Sequence, residues 1–116
     1  MGTTLLILNE APYGTEHSYN GLRVAGAIAK KGEKVRVFLI GDAAACAKSG
    51  QKVPKGYYNV ERMIKNVIRR DAEVGVCGSC IDARGIGEEE LIEGTHRSSM
   101  DELAEWTLDA DRVISF

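Results

Sequence analysis

The sequence predicts an α/β domain built on an open, mostly parallel sheet of about five strands, with helices on both faces. Short apolar runs alternate with segments whose apolar residues recur at helical spacing, the order expected of a parallel sheet. The first run, Thr3 to Leu8, lacks polar alternation, as a strand buried on both faces does. The length, 116 residues, suits one compact domain and is too short for two, so residues 1–116 are read as a single unit.

The elements follow in order. Asn9 to Gly14 is a loop after the first strand, punctuated by Pro12 and Gly14. A helix is expected from about Thr15 to Lys31, with Leu22, Ala25, Ile28 and Ala29 inward and Gly32 ending it. Glu33 to Ile40 reads as the second strand. Asp42 to Lys48 favours a short helix capped by Asp42 and ended near Gly50, followed by a loop from Gln51 to Lys55. Tyr57 to Arg70 carries a helical stripe of Val60, Met63, Ile64, Val67 and Ile68. Glu73 to Val76 is the third strand and Gly78 to Ala83 a short helix. Glu88 to Glu93 is a further helical piece, and Glu93 to Arg97 a short fourth strand. Ser99 and Glu102 fit a capping box, in which Ser99 caps the Glu102 N–H and Glu102 reaches back. The helix it opens is expected to turn Leu103, Trp106, Thr107 and Ala110 inward. Asp111 to Phe116 is the last strand.

Composition narrows the functional classes. Hydrophobic residues at 44% and charged residues at 28% are ordinary for a globular domain that folds without disulfide or metal. The formal net charge is −2, without the basic excess of a protein that holds nucleic acid through its phosphates, so direct nucleic-acid binding is not expected. Lys30-Lys31 and Arg69-Arg70 fall where helix C-termini are expected, and dipole complementation explains them. Met1 to Thr4 has no basic region, and Leu5 to Leu8 is far too short for a signal core or a membrane span. A cytoplasmic, reducing location without membrane contact is therefore expected.

Three cysteines stand at 46, 77 and 80. In a reducing compartment a close pair points to reactivity or metal binding more than to a structural bridge. Cys77 ends an apolar run, Val74-Gly75-Val76, where ligands gather in an open α/β sheet. Backbone N–H groups and the start of a helix favour thiolate there. Four readings follow for Cys77 and Cys80: a nucleophile carrying sulfane sulfur as a persulfide, a dithiol/disulfide redox pair, half of a zinc site, or two small buried residues at a tight junction. A zinc site needs two further ligands, and His17, His96 and Cys46 do not fall at finger-like spacing, so no metal is expected. No cofactor is expected either: neither G-x-G-x-x-G after strand one nor a P-loop is present.

Other residues fall near the same sheet edge. Tyr13 and Gly14, in the loop after strand one, are candidates to shape or cover the pocket, against a plain βα turn. His17, in the first turn of the first helix, is an acid/base candidate or a surface residue. His96, on the short fourth strand, is a second pocket candidate. Arg84 either lowers the Cys77 pKa or forms an ion pair, for instance with Asp82. Cys46, in an Ala-rich segment, reads as an inert apolar residue.

Three segments together resemble the DsrE/DsrF-like (YchN-like) family, which includes the TusD-type sulfurtransferase subunits. They are Ala11-Pro12-Tyr13-Gly14-Thr15 after the opening strand, Cys77 followed by Arg84-Gly85, and Leu103-Ala104-Glu105 through Ala110-Asp111-Arg112-Val113-Ile114-Ser115-Phe116. The resemblance implies a three-layer α/β/α fold assembled as a homotrimer or homohexamer. It implies a cytoplasmic sulfur relay that takes sulfane sulfur from a donor protein and passes it to an acceptor protein, with Cys77 as the active cysteine. Cys80 stands where the TusD type has a small apolar residue, and the 46–56 segment is longer and richer in lysine. The alternatives are a dithiol redox protein using Cys77 and Cys80, and a non-catalytic oligomeric binding subunit.

Overall fold

The computed structural model of the chain describes residues 2–116. Its five strands are β1 (Thr3–Leu8), β2 (Lys34–Leu39), β3 (Glu73–Cys77), β4 (Thr95–Ser98) and β5 (Arg112–Ser115). They form one sheet in the order β4-β3-β2-β1-β5, and every neighbouring pair is parallel. The helices are α1 (His17–Lys30), α2 (Val60–Arg69), α3 (Gly78–Ala83) and α4 (Met100–Asp109).

Right-handed crossovers fix which face each helix covers. The chain steps from β1 through β2 and β3 to β4 in one direction, which keeps α1 and α2 on one face. It then returns across the whole sheet to β5, which puts α4 on the other. The first face holds the main core: Leu6, Leu8, Val37, Leu39, Val74 and Val76 pack with Leu22, Ala25, Val60, Ile64 and Val67. The second holds a smaller cluster of Leu5, Phe38, Cys77 and Trp106. Trp106 meets Phe38 edge to face at 6.3 Å between ring centres. The close approach of α4 needs Gly75, where a Cβ would stand 3.2 Å from both Trp106 and Ser98.

Local expectations change at five places. Gly41–Ala47 is a 3-10 helix without a side-chain cap, because Asp42 turns outward to Arg84. Its small residues let it lie in the core: Ala43, Ala44, Cys46 and Ala47 are buried. Helix α2 begins at Val60 rather than Tyr57, since Asn59 accepts from the Arg62 N–H at 3.0 Å and so sets the start. Ser99 does cap α4, accepting from the Glu102 N–H at 3.2 Å, but Glu102 does not reach back. Its carboxylate accepts instead from Ser98 Oγ at 2.6 Å and pairs with His96. Thr107 faces solvent, its hydroxyl satisfied by the Leu103 carbonyl at 2.7 Å, so Trp106 is the one buried residue of α4. The Glu88–Glu93 piece shrinks to a 3-10 turn over Glu88–Glu90.

Helix α1 lies against β1 through Gly21, where an added methyl would collide with Leu8 and stand 3.2 Å from the Phe116 ring. Gly21→Ala is expected to lower stability by about 1–3 kcal/mol through overpacking, measured as a fall in the urea midpoint. An unchanged midpoint would mean that α1 moves freely on the sheet.

Candidate functional site

At the carboxyl ends of β3 and β4 the chain leaves in opposite directions. From β3 it enters α3, whose Ile81 joins the core of the first face. From β4 it passes to α4 on the second. Such a divergence opens a crevice between neighbouring strands, the usual place for a ligand in an open sheet. The crevice here measures about 320 Å³ and is lined by Cys77, Gly78, Ser79, Arg97, Ser98, Ser99 and Met100. Cys77 is 3% exposed at its base. In register with it across β3 and β4 stands Ser98.

Cys77 is the residue that precedes α3, with φ −56° and ψ 119°. Its sulfur is 3.5 Å from Ser79 Oγ. Burial works to raise the Cys77 pKa. Hydrogen bonds from the Cys80 thiol, the Ser79 hydroxyl and the backbone N–H groups of both residues outweigh it, and the thiol is held below its ordinary value. Cys80 moves the other way: burial and the bond it gives to Cys77 raise it, against a hydrogen bond from the Gly41 N–H at 3.2 Å. The pair is thus unequal: Cys77 is the more acidic thiol and Cys80 the less acidic one.

Two arginines flank the crevice, each tied to a carboxylate. Arg97 binds Asp82 through two 2.8 Å hydrogen bonds. Its guanidinium lies over Gly78, where a Cβ would meet it at 2.9 Å. Arg84 donates to Asp42 at 2.6 Å and to the Cys80 carbonyl at 3.0 Å. Arg84 therefore pairs with Asp42 and not with Asp82, because Asp82 is already held by Arg97. On the sheet side, His96 is hydrogen-bonded to Glu102 and lies edge-on to Trp106 at 5.8 Å. Burial works to raise the Glu102 pKa, but the hydrogen bonds of Ser98 and His96 keep it low.

The structure brings together Cys77, Cys80 and Arg84, and places His96 next to the crevice through Glu102 and Ser98. It does not bring Tyr13 and His17 to the sulfurs. Tyr13 accepts from the Val60 N–H at 2.9 Å and donates to Gln51 at 3.2 Å, so it anchors the start of α2 instead of covering the crevice. His17 is an exposed residue at the start of α1, and Gly14 is exposed in the preceding turn. Sequence reasoning missed Arg97, Ser98 and Gly41, and it offered Asp82 to Arg84 rather than to Arg97. Ser79 lies within the cysteine motif, but Arg97, Ser98 and Gly41 lack a local signal, since their role depends on strand order. Cys46 is buried in the core and its thiol is pushed up to about 12 by burial. Among the described residues no three His, Cys, Asp or Glu side chains lie together as a metal set.

The sequence profile of the DsrE/DsrF-like family matches residues 3–116, and the chain belongs to that family. It is 37% identical over 118 residues to protein YchN of Escherichia coli K12, along the whole of both chains. It is 40% identical over 111 residues to an uncharacterized protein of Methanopyrus kandleri, covering 96% of this chain and 91% of that one. The crystal structure of the E. coli YchN protein superposes at a TM-score of 0.95, with 37% identity and full coverage of both chains.

The two buried thiols are expected to separate in an alkylation series. Cys77 should react in the native protein, its rate rising with pH through a midpoint below that of a free thiol, because the lowered pKa supplies thiolate early. Cys46 should react only after unfolding. Equal native rates for Cys77 and Cys46 would refute this assignment.

Proposed function

We propose that this member of the DsrE/DsrF-like family carries sulfane sulfur on Cys77 between a donor protein and an acceptor protein. The observation that supports it best is Cys77 in a strand-end crevice, its sulfur 3.5 Å from the Ser79 hydroxyl and its pKa held below the ordinary value.

The chemistry follows from that arrangement. The Cys77 thiolate attacks the outer sulfur of a donor persulfide, R–S–SH. The donor S–S bond breaks, the donor leaves as the thiolate R–S⁻, and Cys77 becomes Cys–S–SH. An acceptor thiolate then attacks that outer sulfur, and Cys77 returns as thiolate. The donors that stabilise the resting anion also stabilise Cys77 as the leaving group in the second step. In this reading Cys80 is a hydrogen-bond donor that keeps its own proton.

A second reading is a dithiol redox protein, favoured by the hydrogen bond between the two thiols. It differs in one product, a Cys77–Cys80 disulfide. The carrier would act as a homotrimer or homohexamer in the cytoplasm. Large apolar side chains exposed on the α4 side of the sheet, Leu108 at 87% and Val113 at 44%, suit such an assembly.

Incubation with a sulfane-sulfur donor should add the mass of one sulfur atom, seen by intact mass spectrometry. Cys77→Ser should abolish the adduct and Cys80→Ser should retain it. Loss of two hydrogens in place of added sulfur would favour the redox reading. Sedimentation should show an oligomer at micromolar concentration, and a monomer would refute the assembly.

A further inference from the structure

A second concavity lies away from the cysteines. It is a groove of about 790 Å³ between α1 and α2 on the first face of the sheet. These helices run antiparallel to their strands, so their C-terminal ends lie at the sheet edge opposite Cys77. The groove is lined toward that end by Lys30, Arg69 and Arg70, with Arg23 further up α1. Its floor is apolar: Leu22 and Val67 are each 2% exposed, and Met63 packs beside them. Gly26 adds no side chain, and a Cβ there would meet nothing within 4 Å.

The charges are unbalanced. Not one carboxylate lines the groove. None of the four cations forms an ion pair among the described residues. Arg23 reaches only Asn20 and the Tyr19 ring, and Arg69 only Asn66. Dipole complementation accounts for a cation in a helix's last turn. It does not account for Arg23, two turns before the end of α1. The cationic band continues past Arg69 into a neighbouring depression with Lys52, Arg62 and Lys65, where the one carboxylate, Glu61, is paired with Lys65.

We propose that the α1/α2 groove docks an acidic amphipathic helix of a partner protein, its apolar stripe on the Leu22–Met63–Val67 floor and its carboxylates on Arg23, Lys30, Arg69 and Arg70. An apolar floor between two cationic rims suits a helix with an apolar stripe flanked by acids. A nucleic acid fits less well, since no aromatic ring lines the groove to stack a base. The chain as a whole is negative, so an acidic partner is steered to this band and away from the remaining surface. A partner held here leaves the Cys77 crevice, on the other face and edge, open. The proposal does not depend on the sulfur-carrier reading.

The test is fluorescence anisotropy on the full chain. The probe is a labelled helical peptide of about 18 residues with leucines on one stripe and glutamates on both flanks. Saturable binding is expected, weakening several-fold between about 50 and about 200 mM salt. Arg23→Glu and Arg70→Glu should each weaken it about tenfold, whereas Lys55→Glu, an equal change in net charge outside the groove, should not. A peptide of the same composition with its stripe scrambled should bind about tenfold more weakly. Four results would each overturn the proposal: no binding, equal loss with Arg23→Glu and Lys55→Glu, tighter binding of a single-stranded oligonucleotide than of the peptide, or a changed oligomeric state in Arg23→Glu, which would make the groove a contact between copies. Circular dichroism confirms that each variant is folded.

Discussion

The return crossover from β4 to β5 is the constraint on which the rest of the structure depends. Four strands laid down in one direction with right-handed connections would leave one face of the sheet bare. The long step back to the far edge carries α4 across that face, and Trp106 is the residue that seals it. The same step makes the ends of β3 and β4 diverge. Covering the second face and opening the crevice are thus one topological event. Gly75 serves both, because it lets Trp106 and Ser98 approach β3 beside Cys77.

The chemistry of the crevice comes from direct donors rather than from free positive charge. Arg84 and Arg97 stand nearby, but each is neutralised by a carboxylate, Asp42 and Asp82. Their fields at the sulfurs are correspondingly weak, and what acts on Cys77 is the set of groups that touch it. The ion pairs have a mechanical part as well. Asp42 sits on the 3-10 helix after β2 and Arg84 just after α3, so their bond ties together the two segments that supply Gly41 and Cys80. Asp82 and Arg97 tie α3 to β4 across the crevice mouth in the same way.

Much of this was legible in the sequence, and the gaps have physical causes. Strands and helices follow from the local period of apolar residues, so β1, α1, β3 and the Ser99 cap were readable from neighbours alone. Cys77 was readable because a strand end and a motif coincide there. Strand order is not local. Arg97, Ser98 and His96 become neighbours of Cys77 only because β4 pairs with β3, and a four-residue strand carries little pattern. Tyr13 was misjudged for a related reason: its position after β1 is right for a pocket, but its hydroxyl is claimed by the α2 N-terminus, which arrives from 47 residues away. The basic pairs at 30–31 and 69–70 are each explained by their own helix, and only the parallel packing of α1 and α2 brings Lys30, Arg69 and Arg70 to one groove.

Cys46 and Cys77 show how finely a buried thiol depends on its donors. Their exposures, 0% and 3%, are almost the same, but Cys46 lies deep in the main core and Cys77 lines a crevice, so desolvation pushes both pKa values upward and Cys46 the further. Cys46 donates to the Glu10 carbonyl at 3.8 Å, and the hydrogen bonds it receives, from the Ser18 side chain and its own backbone, do not outweigh burial. Cys77 has the opening of a helix beneath it and a second thiol beside it, and donors dominate. Burial is therefore no argument against reactivity. It excludes water, which strengthens each donor's hold on the anion, and it restricts access to what enters a crevice of about 320 Å³. A thiol at the surface would give up both advantages, and a thiol in the core, like Cys46, would lack the anion altogether. The strand end between β3 and β4 is a position in this fold where a cysteine is shielded from water and still has enough hydrogen-bond donors around it to lower its pKa.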